Sequence, residues 1–318
     1  MSRILFKRSP PGYRNVRGEH VIQLQRGLVD HSPKKPGIDG DFGKQTEDAV
    51  KAWQTANGKE PTGAVTVADW TALTGKPAPS LFVRCLSLTS AFEGHGYTVA
   101  AGNWDKAYLT WGIIGFTLAS GNLQAVVRAM GWPAIEAAIG SVKTAELKRI
   151  IDAPAQQQKA WCDSISFGPK KYAVRPDWSD AFRSLGEIPE GRQAQHQVAK
   201  DVYWKQAIKD LKSFGRQTER DAAIFFDTAV QNGGVGAKAN ALEKALKKLA
   251  ASADEPTRLG CVAGCIADGS KPEFRDDVRS RRRTIATGDG TVHGARYLLE
   301  CWGLGSGVDV TDGDLAKI

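Results

Sequence analysis

The sequence has 318 residues, 42% of them hydrophobic and 25% charged, a globular composition long enough for about two domains. Lys and Arg number 43 against 35 Asp and Glu, and the resulting formal charge of +8 favours a polyanionic partner: nucleic acid, a membrane surface or a cell wall. No window approaches the ~18–20 uninterrupted apolar residues of a membrane span, and the start from Met1 to Gly12 lacks the apolar core of ~7–15 residues that a secretory signal needs.

The first 75 residues predict three short helices separated by turns. Val21, Leu24 and Leu28 recur on one helical face. The run Pro36-Gly-Ile-Asp-Gly-Asp-Phe-Gly43 supplies turn residues, and a second helix carries Ala49, Val50 and Trp53 inward before Asn57-Gly58. A shorter turn and helix, Pro61 to Leu73, closes at Gly75, and the Pro-rich stretch 76–80 predicts a linker. The spacings Val21-x-x-Leu24-Gln25-x-x-Leu28, Gly37-x-Asp39-Gly40-x-Phe42-Gly43-x-x-Thr46-x-x-Ala49-Val50-x-x-Trp53-Gln54 and Trp70-x-x-Leu73 resemble the three-helix peptidoglycan-binding domain of cell-wall hydrolases. The resemblance spans about residues 15–75 within a first domain of 1–75. It implies bacterial peptidoglycan as partner, with Asp39, Phe42 and Trp53 as candidate contacts. The same residues equally serve as turn and core.

Residues 81–318 predict a larger, mainly helical domain. Leu81 to Phe92 reads as a buried helix with Glu93 at its last turn and Gly94 behind it. Tyr97 to Ala100 and Ala107 to Trp111 read as a hairpin around the polar loop Gly102-Asn-Trp-Asp. Helical patterns follow over 123–130, 144–151, 155–165, 193–214, 219–231, 239–250 and 274–287. The longest places Val198, Val202, Ile208 and Leu211 on one face.

Glycoside hydrolysis needs two carboxyls in different environments. One leaving an apolar helix is penalised in its charged form and suits the acid role, whereas one in a polar loop stays ionised and suits the base role. Glu93 and Asp105 occupy such positions, and the Thr110 hydroxyl can orient a water. The strings Leu88-Thr-Ser-Ala-Phe-Glu93 and Asp105-Lys-Ala-Tyr-Leu-Thr110-Trp-Gly112-Ile-Ile-Gly115-Phe116 resemble the active-site region of the chitosanase-like branch of the lysozyme superfamily. That resemblance implies Glu93 as general acid, Asp105 as general base and Thr110 as the residue that positions water in an inverting reaction. The gap from Glu93 to Asp105 is short for chitosanases and nearer the compact phage-type lysozymes.

The expected architecture is therefore a small three-helix wall-binding domain followed by a larger lysozyme-superfamily α+β domain with a short hairpin at its active site. The expected activity is that of an N-acetylmuramidase of the endolysin kind, reaching the wall through a membrane lesion or by injection. A chitosanase, a lytic transglycosylase and a non-catalytic wall-binding protein are the alternatives. Trp104 and Trp111 can stack on sugars or pack in the core, and Asn232 can line a sugar site or cap a helix. His95 can tune Glu93. Cys261 and Cys265 read as core residues, and the run Arg279 to Arg283 as a solvated face rather than a nucleic-acid site. Five scattered cysteines and five histidines without metal-ligand spacing predict no disulfide, no metal and no cofactor. A monomer is expected.

Overall fold

The computed structural model describes residues 3–94, 96–215, 217–250 and 252–317. It divides the chain into two compact units: the segment up to Phe92 together with everything from Trp204 onward, and the intervening Glu93–Tyr203. Helix dominates both.

The first unit opens with strand β1 (Ile4–Phe6), antiparallel to β2 (Val65–Thr66). Three helices follow the expected pattern: α1 (Glu19–His31), α2 (Lys44–Ala56) and α3 (Val67–Thr74). The faces carrying Val21, Leu24, Leu28, Val50, Trp53, Trp70 and Leu73 are all buried. Two glutamines brace the turns between these helices. The Gln25 amide donates to Asp39 Oδ1 (2.7 Å) and Thr46 Oγ1 (3.0 Å) while its Oε1 accepts from Gly40 N (2.9 Å). Gln54 repeats the device on the second turn, donating to Ala64 O and accepting from Gly63 N, each at 2.9 Å. A buried amide that satisfies both its ends fixes a loop better than a hydrophobic contact does, because leaving either end unpaired carries a desolvation penalty. The two aromatic wall-contact candidates of this region need correcting. Phe42 is fully buried and Trp53 is 4% exposed, so both build the helical core and neither presents a ring to a ligand. Asp39 is exposed, but its carboxylate ties the turn.

Helix α4 (Leu81–Glu93) is the apolar helix the sequence predicts. After it the second unit contains a three-stranded antiparallel sheet, β3 (Ala100–Ala101), β4 (Thr110–Trp111) and β5 (Phe116–Thr117), one strand more than the expected hairpin. Then come α5 (Asn122–Met130), α6 (Trp132–Ile139), α7 (Ser141–Ile151) and α8 (Ala155–Ile165). The paired strands β6 (Ser166–Phe167) and β7 (Ala173–Val174) lead into α9 (Pro176–Glu187) and α10 (Pro189–Val198). The core of this unit is aromatic: Trp161 meets Trp178 edge-on at 4.9 Å, and Phe182 packs on both Trp178 and Trp111.

The single long helix expected over 193–214 is interrupted. A π-helical turn, Ala199–Trp204, separates α10 from α11 (Lys205–Ser213). Each π turn holds an extra residue and rotates everything after it. Val202, expected on the inward face, is therefore 39% exposed, and Trp204 and Ala207 point inward instead.

The first unit is completed by α12 (Glu219–Asn232), α13 (Ala239–Lys247), α14 (Glu255–Asp268), α15 (Arg275–Thr287), the hairpin β8 (Asp289–Val292) and β9 (Ala295–Leu298), and α16 (Asp312–Ala316). Thr218 and Asp221 form a reciprocal capping box at the start of α12, and Gly233 in the left-handed conformation ends it. Every residue of α12 from Glu219 to Ala229 is buried, so its charges need partners. Asp227 takes two: Arg281, whose Nη2 lies 2.5 Å from Oδ1, and Arg282, paired to Oδ2. Arg282 also donates to Thr228 Oγ1 at 2.9 Å. The Arg279 to Arg283 run is thus not the solvated face expected: Arg281 and Arg282 are 2% and 0% exposed and serve the core. Cys261 and Cys265, expected in the core, are only partly buried because α14 turns that face outward.

Removing the acid from this cluster takes away the carboxylate that two buried guanidinium groups share. Asp227→Ala should lower unfolding free energy by about 3–5 kcal/mol, read by chemical denaturation; a loss below about 1 kcal/mol would show that the cluster is solvated.

Candidate active site

Glu93 is the last residue of α4 and is partly buried. A helix leaves its final carbonyls without intrahelical partners, and here side chains from the β8–β9 hairpin of the first unit supply them. The Tyr297 phenol donates to Ala91 O at 3.0 Å, and His293 Nδ1 lies 2.9 Å from Phe92 O. His293 sits in the left-handed region (φ 49°), and its Nε2 is 2.6 Å from Asp277 Oδ1. The Tyr297 ring meets Phe92 edge-on at 4.9 Å. The last turn of α4 is held by three residues that the sequence patterns did not single out, since nothing in their spacing shows that they meet α4.

Within the second unit, Tyr203 lies in electrostatic reach of Glu93. Burial first, and then the Glu93 charge, push its phenol above the ordinary tyrosine range, while a 2.8 Å hydrogen bond from Asn122 works in the opposite direction. Tyr203 belongs to the π-helical turn, and its ring approaches Phe116 of β5. π turns occur often at functional sites.

Asp105 lies in the exposed loop between β3 and β4, where it accepts from Ala107 N at 3.0 Å. Thr110 opens β4 opposite Ala101 and is partly buried. The loop between them is braced from behind by the β6–β7 hairpin. Gly102 N donates to Tyr172 O at 2.7 Å and Asn103 N to Ser166 Oγ at 3.0 Å. The approach leaves no room for a side chain: a Cβ on Gly102 would lie 2.4 Å from Lys171 O. Asn103 spans the loop, its amide donating to Asp163 Oδ1 (3.0 Å) and its Oδ1 accepting from Tyr108 N (3.1 Å). Asp163 also pairs with Lys159 (2.6 Å) and Lys171 (2.8 Å), and those lysines, then Asn103, hold its carboxyl far below the usual range.

Glu93, Asp105, Thr110, Trp104 and Trp111 all fall in the second unit. Trp104 is 53% exposed beside Asp105. Trp111 is fully buried against Phe182, so the structure takes the core alternative for it and not the sugar contact. Asn232 lies in the first unit, where its Oδ1 accepts from Arg282 at 3.0 Å at the end of α12; it acts as part of the buried cluster. His95 lies outside the described residues. No group of three or more His, Cys, Asp and Glu side chains suited to a metal occurs among the described residues, and no helix among them is long and apolar enough to cross a membrane.

Residues 17–73 match the family model described as "Putative peptidoglycan binding domain". No curated protein sequence matches the chain. Among solved structures it is similar to the native chitosanase of Bacillus subtilis MY002, with 19% identity over 70% of this chain and 98% of that one and a TM-score of 0.47. It is also similar to the GH46 chitosanase of Gynuella sunshinyii solved with chitotetraose, with 14% identity over 70% and 99% and a TM-score of 0.44. A peptidoglycan-binding sequence thus heads a mainly helical chain.

The Asp163 hub makes a pH prediction. A carboxyl whose folded pKa is depressed stabilises the protein above its unfolded value and loses that contribution as pH falls through the folded one. Asp163→Asn should therefore be less stable than wild type at neutral pH, with the gap closing as pH drops below about 4. Denaturant melts at several pH values would show this; a gap that stays constant or widens in acid would contradict it.

Proposed function

We propose that this protein is a modular peptidoglycan hydrolase, in which residues 1–75 bind the wall, 76–80 link and 81–318 cleave the β-1,4 glycan strand as an N-acetylmuramidase. The observation that carries the reading is the pairing of Glu93 with Asp105 in one unit, behind a peptidoglycan-binding sequence. Glu93 ends an apolar helix, and Asp105 lies on an exposed polar loop.

In this reading Glu93 enters the reaction protonated and gives its proton to the glycosidic oxygen as the C–O bond breaks. Asp105 takes a proton from a water that attacks the anomeric carbon from the opposite face, so the configuration inverts. Thr110 holds that water through its hydroxyl. The products are a reducing N-acetylmuramic acid end and a free hydroxyl, with Glu93 ionised and Asp105 protonated until both exchange with solvent. Binding through the small domain raises the local concentration of glycan without adding contacts at the reacting bond. The net basic charge favours an anionic envelope over cationic chitosan. An endolysin released through a membrane lesion, or an injected antibacterial effector, is the biology this domain pairing suits.

The test is mass analysis of fragments released from purified sacculi. Wild type should yield reducing N-acetylmuramic acid ends, with Glu93→Gln and Asp105→Asn each slower by about 10²–10⁴-fold and Thr110→Val slowed less. Anhydro ends that survive Asp105→Asn would make the protein a transglycosylase. Sacculus binding without fragments would leave only the wall-binding role, or send the search to chitosan.

A further inference from the structure

Among the described residues only Trp104, Phe167, Tyr172 and Phe274 are exposed aromatic side chains, and the first three lie on the loop 102–108 and the β6–β7 hairpin that braces it. Trp104 and Tyr172 are 53% and 52% exposed with ring centroids 6.1 Å apart. Water-exposed aromatics clustered in this way are costly unless something covers them. The same two segments hold three of the four non-glycine residues in the left-handed region among the described residues: Lys106 (φ 67°), Tyr108 (φ 69°) and Lys171 (φ 53°). Such strain persists only where surrounding structure over-determines it, and it concentrates at ligand clamps. Here the over-determination is visible in Gly102 and Asn103, whose hydrogen bonds tie the loop to the β6–β7 hairpin and, through Asp163, to α8. Charge is uneven as well. Lys106 and Lys170 are exposed and form no ion pair among the described residues, whereas Asp163 is already neutralised by Lys159 and Lys171.

We propose that Trp104 and Tyr172, with Lys106 and Lys170, form a preorganised subsite beside Asp105 for a carboxylate-bearing glycan, and that this subsite selects muramyl strands over neutral or cationic ones. The inference rests on the hydrolase reading above and adds to it the substrate chemistry. The apolar C–H face of a pyranose ring lies on an aromatic face and displaces water from it. Ammonium groups at the rim meet the carboxylates that muramyl strands carry and glucosamine polymers lack, on the lactyl group where it is free and on the stem peptide where it is amide-linked, through charge-assisted hydrogen bonds. A glucosamine polymer would bring ammonium against ammonium.

Calorimetric binding tests this on the full chain carrying Glu93→Gln, with three tetrasaccharides: alternating N-acetylglucosamine and N-acetylmuramic acid, N-acetylglucosamine alone, and glucosamine. The muramyl form should bind tightest. Trp104→Ala and Tyr172→Ala should weaken both acetylated ligands by about tenfold or more, with Trp104→Phe restoring most of the loss and melting temperatures unchanged. The double variant Lys106→Gln, Lys170→Gln should weaken the muramyl ligand by about tenfold and leave the neutral one untouched. Equal effects of the lysine changes on both ligands, no effect of the aromatic changes, or preference for glucosamine would overturn the subsite. Failure of the two proposals is distinguishable. A chain that binds muramyl glycan here yet never cuts sacculi refutes the hydrolase, and one that cuts them with unchanged KM in Trp104→Ala and Tyr172→Ala refutes the subsite.

Discussion

A helix must satisfy its last carbonyls without help from its own backbone. In this protein that obligation falls, at the end of α4, on Tyr297 and His293, which reach the carbonyl oxygens of Ala91 and Phe92. The strain stored at His293 and its bond to Asp277 show that the hairpin is held in place from its other side too.

The second carboxyl is positioned by a different device. Asp105 sits on a loop with little regular structure of its own, and what makes that loop rigid is the close seating of Gly102 against the β6–β7 hairpin and the Asn103 to Asp163 bridge. Helix termination fixes one side of the proposed chemistry and loop bracing the other. Asp105 is exposed and Glu93 partly buried.

Much of this was legible in the chain. The fixed spacings through Gln25, Asp39, Gly40, Trp53 and Gln54 foretold a three-helix domain, because each of those residues has a local job in a turn or a helical face. Helix α4 and its terminal Glu93 were equally plain from a run rich in apolar residues stopped by Gly94. Phe42, Trp53 and Trp111 were harder, since an aromatic side chain looks the same in sequence whether it stacks on a ligand or fills a core. The π turn escaped because a one-residue insertion leaves composition and amphipathicity intact while rotating the face, as Val202 shows. Arg281, Arg282, Tyr297 and Asp163 act through partners distant in sequence, and no local pattern announces such pairings.

In the proposed reaction two carboxyls, and not one, act, with water entering on the face opposite the leaving group. The configuration of the first product decides it. Proton NMR of a synthetic β-linked muramyl oligosaccharide, recorded within the first turnovers, should show the α-anomer of the new reducing end appearing before mutarotation. Initial appearance of the β-anomer, or of a 1,6-anhydro product with no reducing end, would contradict the proposed roles of Glu93 and Asp105.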